Sequence, residues 1–165
     1  MKPSGLQAGN PLSKVPALQL DDGSTLIDSP VIAEYLDAMG KAGKPLYPAA
    51  GAARWTALRR VALADGILDA SLLRRYNMMK VLEMNAGAWA ERWQAAVVRG
   101  LDALEAEAAS LGEWNIGGVA IACALGYQDF RFAAEEWRKT RPKLAAWFAE
   151  AAKRPAVAKT APPPA

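Results

Sequence analysis

The 165-residue sequence contains no histidine. This excludes histidine-based catalytic triads and most zinc sites, which depend on imidazole. A single cysteine, Cys123, excludes an internal disulfide framework and fits a reducing compartment. Charge of one sign is scarce too. The 20 basic and 17 acidic residues leave a net +3, too balanced for a nucleic-acid footprint. No run reaches the roughly 20 apolar residues of a membrane span. The start, Met1-Lys2-Pro3-Ser4-Gly5, lacks the apolar core of a signal peptide. The expectation is a cytoplasmic protein without a metal, acting on neither nucleic acid nor membrane.

What is present begins with hydrophobic residues, 52% of the chain, enough to bury the core of one domain or two small ones. The most structured signal lies between Lys14 and Leu36. Ala17–Leu20 and Thr25–Ile27 are short apolar runs, and Asp22-Gly23 between them supplies the positive φ of a hairpin turn. Pro16 has no N–H for a ladder and belongs at a strand's first position. Asp28 or Ser29 can cap a helix with Pro30 in its first turn. Val31, Ile32, Tyr35 and Leu36 then follow at helical spacing. The pattern predicts strand, turn, strand and capped helix, the helix ending near Met39.

Residues 1–13 hold Pro3, Gly5, Gly9 and Pro11 without apolar periodicity and read as a loop. A glycine- and proline-rich linker surrounds Leu46-Tyr47-Pro48. From Arg54 onward the pattern is helical. A first long helix is predicted to about Glu83, with an apolar face of Leu58, Val61, Ala62, Leu68 and Leu72. Asp65 and Asp69 share one side of it and repel each other unless compensated. Either one faces a ligand or an interdomain contact, or they pair with Arg59, Arg74, Arg75 or another helix, and pairing is the expected reading. A second helix spans about Gly87–Leu111, with Asn85 a candidate cap. Its Trp89 and Trp93, one turn apart, are either a substrate wall or core, and core is expected.

A third helix, about Asn115–Phe132, is small and apolar nearly all round and suits the centre of a bundle. Asn115 is a good N-cap, but Gly117 and Gly118 weaken the first turn, so a loose start is expected. Cys123 is expected to be a buried, inert thiol. Asp129 and Arg131 are expected as a structural ion pair. Pro142 opens a last helix to about Lys153, and Pro155 with Pro162–Pro164 leaves an extended tail.

The order Lys14-Val15-Pro16, hairpin, Asp28-Ser29, helix and Leu46-Tyr47-Pro48 linker, with Gly126-Tyr127-Gln128-Asp129-Phe130-Arg131 and Arg154-Pro155 further on, resembles bacterial members of the glutathione S-transferase family. The resemblance implies a mainly α, glutathione transferase-like fold. A partial thioredoxin-like hairpin plus helix (residues 1–44) is followed by a linker (45–53), an all-α helical bundle (54–153) and a proline-rich tail (154–165). It implies a cis Val15-Pro16 step whose valine backbone pairs with the cysteinyl part of glutathione. It also implies that Asp28 and Ser29 hold the γ-glutamyl end. Lys14 is a candidate for attracting the glycyl carboxylate. Glutathione would be co-substrate, a small electrophile the second substrate and a homodimer the assembly.

The family's opening strand–helix–strand, which carries its catalytic Ser, Cys or Tyr, has no counterpart in this reading. The catalytic residue is therefore unknown. Ser4 and Ser13 are the only nearby hydroxyls, in a context unlike the family's catalytic turn. Three functions follow: a conjugating transferase, a non-catalytic interaction or dimerisation module, or a truncated fragment. They differ in whether anything supplies a donor that activates the thiol.

Overall fold

The computed structural model describes residues 9–41, 43–80 and 87–162. Ser4, the Asn85 cap, the predicted helix end at Glu83 and Pro163–Pro164 lie outside these residues. The chain divides into two compact units between Pro48 and Ala49.

In the first unit, β1 (Leu18–Gln19) and β2 (Thr25–Leu26) pair antiparallel, Leu18 opposite Leu26 and Gln19 opposite Thr25. Both are shorter than the apolar runs that mark them. Their connection is a three-residue loop, wider than a two-residue turn. The Leu20 N–H donates to Ser24 O at 2.9 Å and the Gly23 N–H to Leu20 O at 3.0 Å. Gly23 takes φ 85°, the left-handed step such a loop needs. Ser24 donates to Asp22 Oδ1 through its hydroxyl and its N–H, which holds that carboxyl below its ordinary value.

α1 (Ser29–Met39) starts one residue before Pro30, capped by Asp28, and buries Ile32. It stops at Gly40, whose N–H returns to Leu36 O and Asp37 O. Asp37 then reaches the following loop, accepting from the N–H groups of Leu46 and Tyr47 at 2.8 and 2.9 Å. The Tyr47 hydroxyl donates to Pro30 O at 3.0 Å.

The second unit holds α2 (Gly51–Met78), α3 (Gly87–Glu107), α4 (Ile116–Phe132), α5 (Pro142–Ala151) and α6 (Pro155–Thr160). Ile67, Val97, Leu101, Leu104, Ile121, Leu125, Leu144 and Phe148 form its core. α2 starts three residues before Arg54, and its buried stripe is not the predicted one. Val61 is buried, but Ala62 and Leu72 are exposed, and Arg60, Ser71 and Arg74 are buried instead. Partners distant in sequence explain the buried polar groups. Arg60 donates to Glu107 Oε2 at 3.1 Å and to the Ser110 hydroxyl at 2.7 Å. Ser71 Oγ accepts from Gln128 Nε2 at 2.8 Å. Arg74 stacks on Phe132 and pairs with Glu135. Arg59 pairs with Glu107 as well.

α4 starts firmly rather than loosely. Asn115 Oδ1 accepts from the N–H groups of Gly117 and Gly118 at 3.0 and 3.3 Å. The two glycines are there because α2 and two tryptophans come close. A Cβ on Gly117 would lie 2.9 Å from Arg60 Cβ, and one on Gly118 3.3 Å from the Trp114 ring. Asp129 does not pair with Arg131. It accepts from Trp137 Nε1 at 2.8 Å and from the Arg138 guanidinium, while Arg131 stacks on Phe130. α5 opens at Pro142, and its first N–H groups are capped from α3. Glu105 accepts from the Lys143 N–H at 3.2 Å and the Leu144 N–H at 2.7 Å. Pro155 starts a further short helix where an extended tail was expected, because proline fits a first helical position as well as it blocks a last one.

Candidate functional site

The residues implied for glutathione all lie in the first unit. Asn10, Lys14, Val15 and Pro16 form a loop before β1, and Asp28 and Ser29 the junction of β2 with α1. The antiparallel pairing puts the start of β1, which the Lys14–Pro16 loop enters, beside the end of β2, which Asp28 and Ser29 follow. The hairpin thus brings the two clusters to one end of the sheet. The Val15–Pro16 peptide is cis. Val15 is 79% exposed, and Lys14, Pro16, Asp28 and Ser29 are exposed as well. Asp28 caps α1 through Oδ1, which accepts from the Ser29 N–H at 2.6 Å. The arrangement offers a bare backbone segment beside a helix N-terminus and a carboxylate. Such a surface pairs with an extended peptide through the backbone, with an anion through the helix end, and with an ammonium through Asp28.

The stretch Asn10–Lys14 reads in the sequence as the loop leading into Val15-Pro16, with no role given to Asn10 itself. Asn10 is buried, although all six residues after it are exposed. Its Oδ1 accepts from the Leu12 N–H at 2.9 Å, its Nδ2 donates to Lys14 O at 2.7 Å, and its carbonyl accepts from the Ser13 N–H at 2.8 Å. An Asn directly before Pro, four residues ahead of Lys14, was the available signal. Ser13 is exposed and takes φ 54°.

The other candidates lie in the second unit. Trp89 and Trp93 have ring centroids 6.1 Å apart, but Trp89 is 46% exposed and only Trp93 packs on the core. Cys123 is exposed rather than buried. The packing around its sulfur and then the Asp65 carboxylate raise the thiol's pKa, so it remains a poor nucleophile. A cavity of about 360 Å³ lies against Asp129, Trp137 and Lys139, with its charges paired as Asp129–Arg138 and Glu136–Lys139. Among the described residues no three His, Cys, Asp or Glu side chains gather as a metal site, and no helix is long and apolar enough to cross a membrane.

Comparison with known proteins bears on the family and the fold. Residues 1–39 match the family described as "Glutathione S-transferase, N-terminal domain", and residues 87–150 match "Glutathione S-transferase, C-terminal domain". The uncharacterized GST-like protein YibF of Escherichia coli K12 is 34% identical over 98% of this chain and 82% of its own length. A glutathione transferase family member from Pseudomonas fluorescens Pf-5, solved with bound glutathione, is 45% identical. It superposes with a TM-score of 0.88 over 96% of this chain and 78% of that one. A glutathione S-transferase from Methylobacillus flagellatus KT with glutathione bound is 32% identical. Its TM-score is 0.89, over 96% of this chain and 80% of that one. On these identities and coverages, the chain belongs to the glutathione S-transferase family.

Proposed function

We propose that the first unit binds glutathione and that the chain serves conjugation of the glutathione thiol to a small electrophile. The observation that carries this reading is the exposed Val15 backbone in the loop that enters β1, with the Asp28–Ser29 helix start leaving β2 at the same end of the antiparallel hairpin. The Val15 N–H and C=O pair with the cysteinyl residue in the manner of an added strand. The helix N-terminus at Ser29 receives the γ-glutamyl carboxylate, and Asp28 its ammonium. Pro16, in its cis bond, ends the pairing segment, and Lys14 attracts the glycyl carboxylate. The solved relatives from Pseudomonas and Methylobacillus, both holding glutathione, support the choice of ligand.

The same reading takes residues 1–44 as the glutathione-binding part, 45–53 as linker and 54–153 as the helical domain, with a cytoplasmic homodimer as the working assembly. Catalysis requires a donor aimed at the sulfur so that the thiolate is favoured at neutral pH, and no residue is assigned to that role. Calorimetric titration of the chain with reduced glutathione tests the binding. The expected result is micromolar to low-millimolar affinity, weakened by about 1–3 kcal/mol in the Asp28→Ala/Ser29→Ala double variant, the scale of charge-assisted hydrogen bonds. A folded protein that does not bind, or a double variant of unchanged affinity, refutes the assignment.

A further inference from the structure

We infer that Asn10 is a positioning residue that sets the direction of the Val15 backbone N–H, the group to which a peptide ligand pairs. The inference rests on the glutathione reading above. Lys14 O and Val15 N belong to one planar peptide unit, so fixing the carbonyl fixes the N–H, which points the opposite way. Asn10 Nδ2 donates to that carbonyl at 2.7 Å from a side chain only 2% exposed. The carbonyl is therefore drawn toward the buried amide and the N–H is turned away from it. Asn10 Oδ1 and its own carbonyl separately hold the turn through Leu12 and Ser13. Ser13 takes φ 54°, uncommon for a residue with a Cβ, so this loop has to be tied in place.

Two roles are thus divided between two atoms of one side chain. Oδ1 builds the turn, and Nδ2 orients the Lys14–Val15 peptide. Asn10→Asp separates them at almost constant shape. It keeps the acceptor for Leu12 and sets a second oxygen against the Lys14 carbonyl. Ionised, that oxygen repels the carbonyl; protonated, its O–H donates and restores the bond. Burial raises the new carboxyl above its ordinary value, so protonation sets in as pH falls toward about 5. The chain has no histidine, the side chain that ordinarily titrates between about pH 5 and 7.

The experiment is calorimetric titration of the wild-type chain and Asn10→Asp with reduced glutathione near pH 7 and pH 5. The Val15 amide order parameter is measured by NMR in the free proteins under the same conditions. The expected result is about tenfold weaker binding by the variant at the higher pH, recovering to within about twofold at the lower, while the wild type stays flat. The Val15 amide loosens and tightens in step. A variant that binds like wild type near pH 7, or is weakened equally at both pH values, overturns the inference, as does a Val15 amide equally ordered in both proteins. A wild type that fails to bind glutathione overturns the ligand assignment and with it the ligand-facing part of this inference. The amide measurement still decides whether Asn10 orients the peptide.

Discussion

Replacing Gly117 by alanine places a methyl group where α4 meets α2. The new Cβ would lie 2.9 Å from Arg60 Cβ and 3.0 Å from Ala57 O, where ordinary contact begins near 3.4 Å. Neither neighbour can swing aside, since one is backbone and the other the first carbon attached to it. The helices must separate, and forced overpacking of this kind costs about 1–3 kcal/mol. The same methyl would sit 3.2 Å from Asn115 Oδ1, so the α4 cap loosens as well, on the order of 1 kcal/mol. Against this stands a gain of about 1 kcal/mol in helix propensity. The net expectation is destabilisation by about 1–3 kcal/mol, with Tm falling roughly 2–4 °C for each. Gly126, on the same helix, is the internal control. A Cβ there meets nothing within 4 Å, so Gly126→Ala should gain about 0.5–1 kcal/mol. Urea unfolding of the two variants beside wild type, at matched m-values, checks both signs. A Gly117→Ala protein as stable as wild type, or a Gly126→Ala protein that loses as much, would refute the close-approach argument.

Two further outcomes follow from the second unit. Burial works to raise the Glu107 carboxyl, but hydrogen bonds from Arg59 and Arg60 outweigh it and hold the pKa below the ordinary 4.5. The unfolded chain therefore binds that proton more readily, and the contribution is complete above pH 4.5 and lost as pH falls through the folded value. Glu107→Gln should cost about 1–3 kcal/mol at neutral pH, and the gap to wild type should close in acid; a gap independent of pH counts against the pairing. Cys123 should react with a thiol reagent at pH 7 more slowly than free cysteine, because the atoms packed around its sulfur partly desolvate it and, after that, Asp65 adds to the rise in its pKa. Asp65→Asn should speed the reaction without reaching the free-cysteine rate, and a wild-type rate equal to free cysteine would contradict the raised pKa.

The helix starts at Asp28 and Asn115 were legible in the sequence because their caps are decided within a few residues, and the start at Pro142 because proline suits a first helical position. Gly23 was legible for the same reason: the chain reverses there and needs positive φ. What sequence could not reveal was set by partners far along the chain. Gly117 and Gly118 look like defects until α2 and Trp114 are seen against them. Arg60 and Arg74 look like surface cations until Glu107 and Glu135 meet them. Cys123 sits in an apolar stretch, yet points outward, because the apolar residues around it are small and do not declare a face. At the candidate site, Val15, Pro16, Asp28 and Ser29 were readable as a pattern. Asn10 was not, because its importance lies in a bond to the backbone of Lys14 rather than in any property of its own.

Glu105 has a consequence for how the second unit assembles. The segment Pro142–Ala151 has no side-chain cap of its own at Arg141, and ten residues are too few to hold a helix in water. Its N-terminal donors are satisfied by a carboxylate some 38 residues earlier in the chain. α5 is therefore not a prefabricated rod that docks onto the others. Its ordering is conditional on contact with α3, and a peptide cut from this region should be disordered in solution. Helical signal from α5 should arise during refolding only when the interior is consolidated, which makes it a late reporter of completion.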